Sequence, residues 1–254
     1  MKINPPTEIQ SSENPLFKTW VTLLSSKGIK KQGQFLLSGK KIITELKPHF
    51  KVISEIRLKS HIPLRPDVPQ YILSGDLFRQ LDVVGTHSNL FLLEAPQIPT
   101  FDFNKHPQGI EVISPLGDPG NLGALARSCL AFGVKSLILT QESCHPFHPK
   151  ALKASSGALL RLPLFRGPTL DEILAMNLEI YILDIQGDSM TDRNFPKNIR
   201  FLLGEEGPGL QTKKPNLKSS NLKMVRIETQ DVESLNATVA ASLFLFYLSR
   251  QRSS

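Results

Sequence analysis

Three short stretches in the second half of the chain carry residues suited to one kind of chemistry. They are Asn121-Leu-Gly-Ala-Leu-Ala-Arg127, Leu203-Gly-Glu-Glu-Gly-Pro-Gly209 and Val232-Glu-Ser-Leu-Asn236. Together they supply one arginine, two asparagines, one serine, three acids and a glycine-rich turn. That inventory suits a site that holds a small charged cofactor and orients a polar nucleophile. Gly117-Asp-Pro-Gly-Asn-Leu-Gly123 lies between an apolar run and a helical pattern, a turn that offers free backbone N–H groups to an anion. Its glycines do not have the Gly-x-Gly-x-x-Gly spacing of a dinucleotide fingerprint, which disfavours a nicotinamide site. Arg127 follows Gly123 by one helical turn, near that entrance. Gly204-Glu-Glu-Gly-Pro-Gly209 follows an apolar run, and glycine there lets a ligand approach the backbone closely. Glu205 and Glu206 cannot both be buried without a partner, and one of them is a candidate partner for Arg127. Ser234 and Asn236 open the last helical pattern, with Ser234 a candidate N-cap.

The elements that must position these residues alternate along the chain. Runs 109–114, 136–140, 159–165, 179–184, 199–203 and 225–228 read as strands, the third broken by Pro163. Runs 121–132, 169–176 and 235–250 read as helices, the first ended by Gly133. Strands alternating with helices predict a mostly parallel sheet, whose ligands gather at the strand C-terminal ends. The last helix is apolar almost all round, and a subunit interface is one way to bury its second side. The first half also alternates. Asn14-Pro15 reads as a cap followed by proline at the first helical position, with Leu16, Trp20, Leu23 and Leu24 at helical spacing. Strands are expected at 34–38, 51–56, 70–73 and 90–94, and helices at 40–46 and 76–81. Residues 1–13 read as frayed. Residues 95–108 carry three prolines and no period and read as a linker. The expected organisation is therefore a first domain over 1–95, a linker over 96–108 and a second domain over 109–254.

At 254 residues and 40% apolar composition, the chain can bury a sizeable core and is not disordered. Its formal net charge is +7. Residues 1–95 hold 13 Lys and Arg against 8 Asp and Glu, which favours polyanion contact there. Lys27, Lys30, Lys31, Lys40 and Lys41 are the candidate contacts to such a polyanion. The two cysteines, Cys129 and Cys144, have no zinc or disulfide spacing, and Cys144, His145 and His148 lack an evident fourth ligand, so no metal is expected. No signal core or apolar run of membrane-spanning length is present. The chain reads as soluble and cytoplasmic, with no membrane partner.

With these residues assembled, the second half resembles the SpoU/TrmH family of RNA ribose 2′-O-methyltransferases, within the SPOUT superfamily. Asp118-Pro-Gly-Asn121-Leu-Gly-Ala-Leu-Ala-Arg127, Leu203-Gly-Glu-Glu206-Gly-Pro-Gly-Leu210 and Val232-Glu-Ser234-Leu-Asn236-Ala-Thr-Val-Ala240 match its three motifs in order. Ser155-Ser-Gly-Ala158 resembles the segment between the first two. The family's Ile-Pro-Met is Ile227-Glu228-Thr229 here. Asn14-Pro15, Phe35-Leu-Leu-Ser-Gly-Lys40 and Leu77-Phe-Arg-Gln-Leu81 are similar to the L30e-like substrate-binding domain of many members. The resemblance implies an α/β catalytic domain with a C-terminal trefoil knot, a homodimer, and S-adenosyl-L-methionine held by the main chain of Gly204, Ile227 and Leu235. It implies methyl transfer to a ribose 2′-hydroxyl of structured RNA, ribosomal or transfer. Arg127 would be catalytic, Asn121 and Asn236 would fix its geometry, Glu206 would orient it, and Ser234 would hold the substrate or cap the last helix. The alternatives are a non-catalytic RNA-binding or ribosome-assembly factor on the same fold, and a methyltransferase acting on a base or a protein.

Overall fold

The computed structural model of the chain describes residues 5–204, 221–232 and 234–252. It divides into two compact units, Met1–Gln97 with His145–Leu160, and Ile98–Cys144 with Arg161–Ser254.

The first unit is built on a five-stranded sheet. Its strands are β1 (Thr7–Ile9), β2 (Gln34–Ser38), β3 (Val52–Leu58), β4 (Gln70–Leu73) and β5 (Leu90–Glu94), in the order β1-β4-β3-β5-β2. β1, β4 and β3 are parallel, and β5 runs antiparallel to both β3 and β2. Helices α1 (Pro15–Thr22), α2 (Ser26–Gln32), α3 (Lys40–Thr44) and α4 (Gly75–Leu81) connect them. Asn14 caps α1, accepting from Leu16 N–H and Phe17 N–H, with Pro15 at the first helical position as the sequence predicts. Residues 7–9, expected to be frayed, instead pair with β4. Their single buried side chain, Ile9, gave no period to read.

Three charged or polar side chains on β3 and β4 are buried together. Glu55 is fully buried and accepts from Leu64 N–H (2.9 Å), Arg65 N–H (2.8 Å) and Gln70 Nε2 (3.1 Å), while Arg57 Nε donates to Gln70 Oε1 (3.2 Å). A buried carboxylate persists only with its lone pairs satisfied, and here they bind the loop between β3 and β4.

The second unit is a six-stranded, wholly parallel sheet. Its strands are β6 (Ile110–Ser114), β7 (Ser136–Leu139), β8 (Leu164–Arg166), β9 (Ile180–Ser189), β10 (Ile199–Leu202) and β11 (Leu222–Arg226), in the order β11-β9-β10-β6-β7-β8. Helices α5 (Pro119–Ala131), α7 (Leu170–Ala175) and α8 (Ala237–Arg252) belong to this unit, whereas α6 (Pro149–Ser155) belongs to the first. Strand alternation sorts the core into two layers. Ile113, Ile138, Ile182 and Leu202 pack with Leu170, Ile173 and Leu174 of α7. On the other side Phe201 meets Phe244 of α8 edge to face at 5.2 Å. The α/β architecture with a mostly parallel sheet is the expected one.

Two segments depart from the sequence reading. Residues 98–108 are not a linker but part of the second core. Thr100 bridges to Arg166, and Phe103 is buried beside Ile113 and Ile138. Buried Arg200 lies 5.2 Å over both the Phe101 and Phe103 rings, donates to Lys105 O (3.1 Å) and pairs with buried Glu111 at 2.8 Å. Prolines mask this, because the anchoring partner lies almost a hundred positions away in sequence. The strand expected at 159–165 is a short 3-10 turn, Ala158–Leu160, followed by β8.

Candidate active site

The site residues converge because the strands that deliver them are parallel neighbours. β6 and β10 lie side by side with Ile113 opposite Leu202, so both chains leave the sheet at the same edge. The order changes direction here: β7 and β8 extend to one side of β6, while β9 and β11 lie beyond β10. A crevice for ligands forms where strand order reverses.

From β6 the chain passes Pro115–Gly117 into α5. Asp118 is the N-cap, its Oδ1 accepting from Asn121 N–H at 2.8 Å, and Pro119 takes the first helical position. From β10 the chain passes Leu203, whose N–H donates to Ile113 O (3.1 Å), to Gly204, which is half-buried. A methyl added at Gly204 would sit 3.7 Å from Leu183 O, an ordinary contact, and the backbone there does not adopt the left-handed region. Among the described residues nothing demands glycine at this point. From β11 the chain passes half-buried Ile227 and a turn in which Thr229 Oγ1 donates to Val232 O (2.9 Å), then exposed Ser234 and half-buried Leu235.

Asn236 is the cap of α8. Its Oδ1 accepts from Thr238 N–H (3.0 Å) and Val239 N–H (3.3 Å), and its backbone O accepts from Ala240 N–H. The helix therefore opens after Asn236, and Ser234, expected as a cap candidate, is left out of the helix. The two helices pack side by side and in the same direction. Thr238 Oγ1 donates to Asn121 O (3.4 Å), Ser128 and Ser242 share a hydrogen bond of 2.7 Å, and Phe132 meets Phe246 at 6.0 Å. Two helix N-termini thus open at one sheet edge, both favouring negative charge in front of them.

Asn121, Gly204 and Asn236 are brought to this edge, and Ile227, Ser234 and Leu235 lie on the chain that joins β11 to α8. Arg127 is exposed, but it does not stand at the helix entrance. α5 begins at Pro119 rather than at Asn121, so Arg127 lies in the third turn, about 12 Å along the axis from the helix start. Helical side chains lean toward the N-terminus, which directs its length back toward the entrance. Glu206, with Glu205 and Gly207–Gly209, lies outside the described residues. Lys27, Lys30 and Lys31 stand on α2, and Lys40 and Lys41 on α3, all exposed. Asp118 and Thr238, which fasten the two helix starts, received no role from the sequence; the Asp-Pro dipeptide ahead of a helical pattern is the signal for the first. The wide parallel-sheet pairing at β9 and β11 needs Gly187, where a Cβ would come within 2.4 Å of Val225 N. Cys129 is buried, and burial pushes its thiol well above the usual range, so it is not a nucleophile. Among the described residues no cluster of potential metal ligands occurs, and no helix is long and apolar enough to cross a membrane.

Comparisons with known proteins follow the same residues. The SpoU rRNA Methylase family model matches residues 110–246. Ribosomal RNA small subunit methyltransferase G 2 of Syntrophobacter fumaroxidans is 39% identical over 260 residues and covers the whole chain, which spans 51% of that relative's length. The 23S rRNA (guanosine(2553)-2′-O)-methyltransferase of Bacillus subtilis is 26% identical, over 95% of this chain and 98% of that protein. The crystal structure of an RNA 2′-O ribose methyltransferase superposes with a TM-score of 0.78 at 23% identity, over 98% of this chain and all of that one. That of a SpoU methyltransferase from Streptomyces viridochromogenes, in complex with the cofactor AdoMet, also reaches 0.78 at 23% identity, over 95% and 99%. At these identities the structures establish the fold.

Proposed function

The chain belongs to the SpoU rRNA Methylase family, and from that premise we propose that it is an S-adenosylmethionine-dependent methyltransferase acting on a ribose 2′-hydroxyl of structured RNA. One observation carries the reading: the described parts of the motif stretches, Asp118–Asn121, Leu203–Gly204 and Asn236–Thr238, lie where β6, β10 and the α5 and α8 N-termini open together. The unneeded glycine at 204 fits a ligand that must approach the backbone, and the main chain of Gly204, Ile227 and Leu235 is where S-adenosylmethionine would be held. The cofactor supplies a methyl group already activated on a sulfonium.

What remains for the protein is the hydroxyl, a poor nucleophile until its proton leaves. Arginine stays protonated and does not accept that proton, which passes to solvent. Arg127 instead stabilises the developing alkoxide and grips a neighbouring phosphate with its planar fork. Asn121 is held by the Asp118 cap, and Asn236 has its oxygen committed to the α8 backbone, which leaves its amide N–H groups for substrate. Glu206 orients Arg127, and Ser234, free of capping, contacts the substrate. Preorganisation of these groups supplies much of the acceleration.

The same reading includes a homodimer. Val239, Leu243 and Phe246 recur along one face of α8 and are 49%, 41% and 52% exposed, a stripe that a second copy would cover. It also includes the trefoil knot. In support, the end of α8 is fastened to the segment joining β9 and β10: Gln251 Nε2 donates to Arg193 O (3.1 Å) and its Oε1 accepts from Phe195 N–H (3.1 Å). The first unit would serve as the L30e-like RNA-binding domain, and ribosomal RNA is the first substrate class to test.

The test is direct. The full chain is incubated with methyl-labelled S-adenosylmethionine and protein-free ribosomal or transfer RNA, and the digested nucleosides are separated. Label in a 2′-O-methylated nucleoside is expected. Label on a base or on protein, or RNA binding with no label transferred, overturns the reading.

A further inference from the structure

Residues His145–Leu160 interrupt the methylase half in sequence, yet they belong to the first unit. They are fastened there at three points. His145 N–H donates to Ser26 Oγ at 3.0 Å, one residue before Lys27. Phe147 stacks on Phe35 of β2 at 4.7 Å and meets Phe50 edge to face at 6.2 Å. Helix α6 itself packs against β2. It is therefore held on the strand that α2 and α3 also pack against.

The charge of the assembled region is one-sided. Residues 26–44 contain Lys27, Lys30, Lys31, Lys40 and Lys41, residues 145–160 add Lys150 and Lys153, and neither stretch contains an Asp or Glu. All seven lysines are exposed. Among the described residues none of the seven has a carboxylate within 4.0 Å. Elsewhere in the same unit Lys18, Lys51 and Lys59 each face one, at 2.5, 3.2 and 3.5 Å. Seven unneutralised ammonium groups on one unit repel each other and favour a polyanion that brings its own charge.

We propose that α6 completes an RNA-binding surface on the first unit, with Lys150 and Lys153 contacting phosphates beside Lys27, Lys40 and Lys41. The inference rests on the reading that structured RNA is the substrate. It assigns RNA contact to a segment that the sequence places inside the catalytic half. Because that segment directly follows β7 and its loop, the same stretch of chain connects the RNA-holding surface to the methylase sheet.

The experiment uses the full chain and protein-free large-subunit ribosomal RNA, with affinity measured over a series of salt concentrations. Each phosphate contact contributes about 0.7 to 0.9 to the slope of log affinity against log salt. K150Q/K153Q is expected to flatten the slope by about 1.4 to 1.8 and to weaken binding. K150R/K153R is expected to keep the wild-type slope, and K51Q/K59Q, whose lysines face carboxylates, to leave it unchanged. Calorimetric titration with S-adenosylmethionine is expected to be the same for all three. A wild-type slope in K150Q/K153Q overturns the inference and leaves the function untouched. Equal flattening in K51Q/K59Q also overturns it, since net charge alone would then explain the effect. A wild-type chain that neither binds nor methylates ribosomal or transfer RNA removes the functional reading, and this inference with it.

Discussion

Gly204→Ala separates what the fold needs from what the cofactor needs. Among the described residues the added methyl would meet Leu183 O at 3.7 Å and no closer heavy atom outside its chain neighbours, and the backbone there lies outside the left-handed region. Such a replacement stabilises a protein by about 0.4–1 kcal/mol, through the unfolded chain. The thermal midpoint should therefore hold or rise by about 1–4 °C. S-adenosylmethionine, by contrast, has to pass close to that backbone if Gly204 is one of its holding points. A methyl forced into a filled contact costs about 1–3 kcal/mol. That is a loss of roughly 5- to 150-fold in affinity. Calorimetric titration of the cofactor into wild type and variant, with thermal unfolding of both, reads the two effects separately. A variant that binds within twofold of wild type refutes the close approach at Gly204. A variant that is markedly destabilised refutes the claim that the protein itself tolerates a side chain there.

Three further outcomes are expected. Arg127→Ala should lower single-turnover methyl transfer at saturating RNA and cofactor by about 10²–10³ while leaving cofactor affinity nearly unchanged, and Arg127→Lys should not restore it, because a point charge lacks the planar fork; turnover within a few-fold of wild type would make the residue merely structural. Glu111→Ala should destabilise the chain by about 3–5 kcal/mol in denaturant titration, because it leaves the 2%-exposed Arg200 side chain unpaired, whereas Glu111→Leu with Arg200→Met should recover most of the loss. Phe246→Glu should convert a dimer to a monomer in sedimentation equilibrium, by placing a charge in the α8 stripe; a wild-type chain that sediments as a monomer at micromolar concentration would end the dimer proposal.

Where short-range physics sets the structure, the sequence was legible. Asn14 caps α1 through hydrogen bonds to residues two and three positions on, and Gly133 takes the left-handed conformation that ends α5. Apolar runs gave most of the strands of both sheets. What was hidden depends on distant partners. Phe103 became core because of Ile113 and Ile138, and Arg200 holds the prolines' segment through Glu111 and Lys105. β1 is three residues whose only guide is the neighbouring β4. At the candidate site the chain order identified Ser234 and Asn236 together, but which of them caps α8 depends on where the helix begins, and a two-residue shift hands the role to Asn236. A similar shift at α5 moves Arg127 from the entrance into the third turn. α6 escaped notice because its buried side is only Pro149, Ala151, Leu152 and Ser155, and its partner surface lies more than a hundred residues upstream.

The first unit's two-part construction also governs the order in which the protein can be made. Phe35 and Phe50 are exported from the ribosome long before Phe147, the ring that both of them meet. At about 5–20 residues per second, the interval between the emergence of residue 97 and residue 160 is roughly 3–13 seconds. During that interval the sheet of β1 to β5 exists without its last wall, and much of the methylase sheet's first half is synthesised in between. Neither unit is therefore a cassette that can be cut out at one place in the chain. A graft of the first unit onto another enzyme has to carry residues 145–160 as a second piece, and a methylase half transplanted with them would bring an unmatched aromatic surface along.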